Sequence, residues 1–138
     1  MHTTPARMLF VNLAVEDLER SKEFFAKLGF EFNAQFTDDN AAAMIINESC
    51  GVMLLREPFF QGFTKKEIAD TTAGTECLLA FTVESREAVD RMVQTAMDAG
   101  AGHAMDKQDH GFMYSGSFYD LDAHHWEVFW MDPATVQP

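Results

Sequence analysis

Glu127 is the residue whose surroundings ask for an explanation. It stands in the middle of a hydrophobic run, HWEVFWM from His125 to Met131. An ionised carboxylate is costly to bury alone and tends to take up a proton instead. A basic or donor partner, a metal, a water-filled pocket or a substrate must therefore serve it. Two further residues have the chemistry to join it. His110 lies with Asp109 in a glycine-flanked turn of the segment QDHGFMY, and Tyr114 follows on the next strand. Histidine titrates near ~6.5 when unperturbed, and a carboxylate beside it favours its charged form. A tyrosine hydroxyl can donate to a substrate oxygen. Glu127, His110 and Tyr114 are thus the candidates for general acid–base catalysis. The competing reading is structural: His110 holds its turn and Glu127 is satisfied by neighbouring donors, as most buried polar groups are.

Other reactive types give less. His124 and His125 are adjacent, so on a strand they face opposite sides and do not chelate one ion. His125 points with Glu127, although a loop position is equally open. Asn12 and Glu76 are the remaining polar residues that strand alternation could bring to a shared site. Cys50 and Cys77 have no base beside them in sequence. The chain has no glycine-rich phosphate loop and no nucleophile elbow.

The elements that must position these residues follow from periodicity. From His125 to Met131, Trp126, Val128 and Trp130 point one way and Glu127, Phe129 and Met131 the other. Met8 to Val15 reads as a strand with Leu9, Val11, Leu13 and Val15 on one face. Asp17 caps a helix that runs to Leu28 and ends at Gly29. FEFNAQF, Phe30 to Phe36, alternates as a strand, and Thr37 to Asn40 is a turn. Ala42 to Ile46 and Gly51 to Leu55 are two more strands. The second half repeats this order. Cys77 to Val83 is a strand, and Ser85 caps a helix from Glu87 to Ala99. His103 to Lys107, Phe112 to Tyr119 and His125 to Met131 are strands. Between the halves, Arg56 to Thr75 carries the exposed-looking Phe59, Phe60 and Phe63, with room for a short helix at Lys65 to Ala69. Such a connection either packs its phenylalanines on the core or serves as a lid.

This predicts an α+β fold: one domain, residues 1–138, of two βαβββ modules at about 8–56 and 76–132, with the connection at 57–75. One such module leaves its inner sheet face incomplete, so two are expected to form a curved mixed sheet around a cleft. With the strand faces Leu9/Val11/Leu13/Val15 and Leu79/Phe81/Val83 turned to the helices, Phe10, Asn12, Ala14, Leu78, Ala80 and Thr82 line that cleft. The closing strands add Met53 and Leu55, and Glu127, Phe129 and Met131. The predicted ligand-binding residues are Phe10, Asn12, Met53, Leu78 and Phe129. A mostly apolar recess with few polar points is the usual character of a small-molecule site.

Composition narrows the partners. A formal net charge of −12 argues against nucleic acid and against anionic membrane surfaces, both of which need clustered Lys and Arg. No apolar run reaches the roughly 18–20 residues that span a bilayer. The expected setting is the cytoplasm, with both cysteines reduced. The 9 methionines and 13 phenylalanines can fill a core or line an adaptable pocket.

Three features together resemble the vicinal oxygen chelate superfamily, which includes glyoxalase I, extradiol dioxygenases and bleomycin-resistance proteins. They are the paired βαβββ modules, the segment VNLAVEDLERSKEFF, and the ending DLDAHHWEVFW. The ending is similar to the family's DPDGxxWE, with Leu121 and Ala123 replacing Pro and Gly. The resemblance implies a glyoxalase-like fold over about Met8 to Met131, a homodimer, and lyase or isomerase chemistry as one alternative. Non-catalytic ligand sequestration of the bleomycin-resistance kind is the other. It also implies four metal-ligand positions, which fall near Phe10, Met53, Leu78 and Glu127. Only Glu127 offers a ligand for a divalent cation, since three of the four are apolar. No cofactor is therefore expected, and the usual metal mechanism is in doubt.

Overall fold

The structure is a computed structural model and describes residues 7–135. It contains two compact units that meet in sequence between Ile68 and Ala69, within the expected connection.

The first unit runs β1 (Leu9–Val15), α1 (Leu18–Lys27), β2 (Glu31–Phe32), β3 (Ala41–Asn47), β4 (Cys50–Arg56) and α2 (Glu57–Gln61). Its four strands lie in the order β1-β4-β3-β2, with β1 parallel to β4 and the other pairs antiparallel. Helix α1 starts where Asp17 accepts a hydrogen bond from the Arg20 amide at 3.1 Å. It stops at Gly29, whose φ of +100° suits a residue without Cβ. Its face Leu18, Phe24 and Phe25 is buried, as are Leu13, Val15, Met44, Val52 and Leu54 of the sheet. Each large side chain so buried contributes about 1.5–3 kcal/mol.

Two expectations are corrected here. Only Glu31–Phe32 of the Phe30 to Phe36 run is strand; Ala34–Phe36 is a single 3-10 turn. The Asn33 side chain causes this by accepting from the Gln35 amide at 3.0 Å, which bends the chain out of the ladder. The short helix of the connection is α2, not Lys65 to Ala69. Pro58 in its first turn suits a helix start, where its missing N–H is no loss.

The second unit runs β5 (Leu78–Thr82), α3 (Arg86–Asp98), β6 (Gln108–Asp109), β7 (Met113–Tyr119) and β8 (His125–Met131). Its order is β5-β8-β7-β6, again with the first and last strands parallel. The expected α+β repeat of two βαβββ modules is therefore present. The Ser85 hydroxyl caps α3 by accepting from the Ala88 amide at 3.0 Å. The helix lies on β7 and β8, and Ala88, Val89 and Ala96 are buried with Phe118, Trp126 and Val128 of the sheet. Gly116 permits the close approach, because a Cβ there would lie 2.8 Å from Cγ2 of Val93.

The strand expected at His103 to Lys107 is not formed. Gly102 makes one isolated bridge to Tyr119, and pairing resumes only at Gln108. Between them the Ser117 hydroxyl takes the place of a strand partner, accepting from the Met105 amide at 3.0 Å and donating to the Met105 carbonyl at 3.3 Å.

Candidate functional site

The turn that opens β8 is built on Asp120. Its carboxylate is buried and accepts hydrogen bonds from the Asp122 amide (2.9 Å), the His124 amide (3.0 Å) and Nε1 of Trp126 (2.8 Å). Burial pushes the Asp120 carboxyl above the usual aspartate range, while the charge of His124 and the Trp126 bond pull it back. The aspartate that opens the segment and the tryptophan that follows thus clasp one another. Ala123 closes the turn at a φ of +63°, a left-handed conformation that L side chains adopt at a cost. The next residue, His124, is buried, and its Nδ1 lies 2.6 Å from Oε1 of Glu76. Glu76 is therefore engaged with His124 rather than free to join another site.

From this turn β8 leaves with the expected alternation. Trp126 and Val128 are buried, and His125, Glu127 and Phe129 share the opposite face. On that face Leu78 is paired with His125, Ala80 with Glu127 and Thr82 with Phe129. Ser117 is the partner of Glu127 on the other side. Leu78, Glu127 and Phe129 are thus brought together on one sheet face, with Leu78 61% exposed. The Glu127 side chain keeps 31% of its surface, and its Oε2 is 3.4 Å from Nε2 of His125. That distance falls within ion-pair range, yet Nε2 is buried and makes no hydrogen bond. The atoms are near but not aligned for a hydrogen bond. The His125 ring is 10% exposed and stands edge-on to Tyr119, with ring centroids 5.4 Å apart.

His110, Tyr114 and Glu127 are not assembled. Ser117 is opposite Glu127, so Tyr114, three residues earlier, lies on the other face of the sheet. Its hydroxyl donates to Asp90 of α3 at 2.7 Å. That bond, with burial, raises the phenol above its ordinary pKa. The Arg86 guanidinium lies over Tyr114 and Trp130, at 5.3 Å and 5.0 Å from their ring centroids. It donates to Asp109 at 2.8 Å and to the Gly111 carbonyl at 2.7 Å. These contacts fasten the QDHGFMY hairpin to the helix. His110 is exposed at its tip, with Nε2 3.4 Å from Oε1 of Gln108. Asp109, held below the usual carboxylate range by Arg86, is likewise committed to the hairpin.

In the first unit, Phe10 and Asn12 lie on one face of β1, and Asn12 is paired with Met53 of β4. Phe10 is 49% exposed. A recess of about 570 Å³ opens on this face, lined by Phe10, Met53, Met8, Ile45 and Phe36, with Asn33 among its few polar groups. Asn12 does not line it. Ala14 and Leu55, expected to be open, are buried at the end of the sheet where α2 packs on β1 and β4. Phe36 and Asn33 were not among the sequence candidates. The Asn33 cap that ends β2 was the signal that could have found them.

The four positions at which the resemblance implies a metal are placed as follows. Phe10 and Met53 lie on the first sheet, Leu78 and Glu127 on the second. Phenylalanine and leucine have no donor atom, and a thioether is a poor ligand for a hard divalent ion. Among the described residues, no group of three or more His, Cys, Asp and Glu is arranged to hold a metal ion. The residues do not fit the group. Cys77 gives no nucleophile in its place, because burial and Glu76 push its thiol up.

Comparisons with known proteins agree on the fold. Residues 7–47 match the family described as Bleomycin resistance protein-like N-terminal. No curated protein matches the sequence. A hypothetical protein from S. aureus is 28% identical, with a TM-score of 0.76 over 92% of this chain and 94% of its own. A glyoxalase/bleomycin resistance protein/dioxygenase family enzyme from Burkholderia phytofirmans PsJN is 18% identical, with a TM-score of 0.73 over 88% of this chain and 96% of its own. The fosfomycin resistance protein FosX from Mesorhizobium loti is 17% identical, with a TM-score of 0.63 over 97% of both chains. At identities below 20% the latter two speak for the fold alone. The fold is glyoxalase-like, and the matches are consistent with the vicinal oxygen chelate superfamily.

Proposed function

We propose that this protein binds a small, largely apolar molecule on the open faces of its sheets, and that it does so without a metal. The observation that carries this reading is the recess of about 570 Å³ lined by Phe10, Met53, Phe36 and Ile45. Its size is that of a small-molecule site, and apolar walls with few polar points favour binding over chemistry. Glu127, with Leu78 and Phe129 beside it, is the corresponding feature of the second module. Sequestration of the bleomycin-resistance kind is favoured over lyase or isomerase activity, because Tyr114 is spent on Asp90 and His110 stands at a hairpin tip.

The test is a thermal-shift screen of apolar small molecules, followed by calorimetry on the hits and an assay for product. Binding without turnover, lost in Met53→Trp while the fold is kept, is the expected result. Hits that bind Met53→Trp and Phe10→Ala as well as the parent would remove the recess from the account. Steady product formation would replace sequestration by the enzymatic alternative.

Two coarser proposals accompany it. The exposed apolar residues Met8, Leu9 and Phe10 of the first unit, and Leu78 of the second, suit a homodimer. Monomeric elution at all concentrations would dismiss it. No helix of the described residues is long and apolar enough to cross a membrane. Free Cys50 and Cys77 suit a reducing cytoplasm.

A further inference from the structure

We propose that His125 and Glu127 form a two-point acceptor for a primary ammonium group, so that the second sheet selects cationic amines with an apolar body. The inference rests on the reading that the open sheet faces take a small molecule, and names the chemistry of that molecule.

Two observations on this face call for a shared partner. Nε2 of His125 is buried on a side chain only 10% exposed, and nothing in the protein bonds to it. Such an atom carries an uncompensated desolvation cost, and a ligand that completes it recovers that cost. Oε2 of Glu127 is 3.4 Å away, on a side chain that still reaches solvent. With its proton on Nδ1, the imidazole presents Nε2 as an acceptor, and the carboxylate is an acceptor as well. Two acceptors at this spacing and misaligned with each other are bridged by one group that has several donors and positive charge. An ammonium has three donors and fits both requirements. The proposal requires Glu127 to turn aside on binding, since Nε2 is buried as it stands.

The neighbours suit the site. The small residue Ala80 is paired with Glu127, and Leu78 and Phe129 on the same face offer apolar contact for the rest of the ligand. The formal charge of −12 draws cations to the protein in general. An anion meets the Glu127 carboxylate and is turned away.

The experiment is calorimetry or NMR titration with benzylamine and benzyl alcohol, which share a ring and differ in the charged donor. It uses the full chain and the variants Glu127→Gln and His125→Phe. The expected result is benzylamine binding at least 10-fold tighter than the alcohol to the parent. That preference falls to near unity in Glu127→Gln and at least 5-fold in His125→Phe, with both variants folded by circular dichroism. His125→Phe removes the orphan nitrogen, so a merely structural histidine would change stability and leave the amine preference intact. That outcome overturns the proposal. Equal binding of amine and alcohol to the parent overturns it too, while leaving the small-molecule reading in place. Binding of neither overturns the proposal, and the screen on the recess of the first unit then decides the reading it rests on. Zinc chloride stabilising the parent through the same two residues, with benzylamine inert, would replace the amine by a cation.

Discussion

Replacing Ala123 by glycine should stabilise this protein, although the same change elsewhere in it should do the reverse. Ala123 sits at φ +63° in the turn that leads into β8. An L residue with a Cβ is strained there by roughly 1–2 kcal/mol, from its approach to the following carbonyl. Glycine relieves that strain but loses about 0.5–1 kcal/mol through the greater freedom of the unfolded chain. The balance is a gain of about 0.5–1 kcal/mol. For a chain of 138 residues that corresponds to a rise in Tm of about 2–5 °C. The control is Ala26→Gly, at an exposed position within α1, where glycine should cost about 1 kcal/mol. Both variants are measured by urea and thermal denaturation followed by circular dichroism. Opposite signs are expected from one chemical change. If Ala123→Gly is neutral or destabilising while Ala26→Gly behaves as stated, the turn is not strained and Ala123 is not a tolerated stand-in for glycine.

Other perturbations follow from the same geometry. Asp120→Ala strands two amides and the Trp126 indole N–H in a buried site, and should cost about 3–4 kcal/mol in chemical denaturation. Because burial raises the Asp120 pKa, its contribution is fully present below the ordinary aspartate value and is lost as pH rises through the higher folded value. Asp120→Asn should flatten that part of the stability–pH curve. Asp90 and Asp109 act in the opposite sense, since hydrogen bonds from Lys107 and Arg86 respectively lower them; their contribution is lost as pH falls below about 4. Gly116→Ala places a Cβ 2.8 Å from Val93, so it should destabilise by about 1–3 kcal/mol, and Val93→Ala in the same chain should restore part of the loss. Arg86→Met removes a half-exposed ion pair and two ring contacts, and should lower the urea midpoint only slightly. Amide exchange around Gly111 should accelerate with it.

What the sequence made legible was local. Asp17, Gly29 and Ser85 mark helix ends by their own backbone chemistry, and those ends stand where expected. The alternation of β8 is likewise a property of seven consecutive residues. What failed depended on partners distant in the chain. Residue type groups Tyr114 with Glu127, but its face is fixed by which residue of β7 meets Glu127. A pairing shifted by one would have put it on the other side. His103 to Lys107 had strand composition, and the Ser117 hydroxyl took the bonds that a ladder would have used. At Asn33 the side chain outcompeted the strand, although FEFNAQF alternates cleanly. The Glu76–His124 pair joins residues far apart in sequence, and no spacing rule anticipates it.

In both modules the opening strand lies parallel to the closing one, Leu9 beside Cys50 and Leu78 beside His125. Neither sheet can finish until its last strand has been made, so each module is a clasp that shuts only at its end. During synthesis the first can close once Arg56 has cleared the ribosome, while the second waits for Met131. Until then Leu78 and its neighbours have no strand alongside, and that interval is when chaperones would have most to shield.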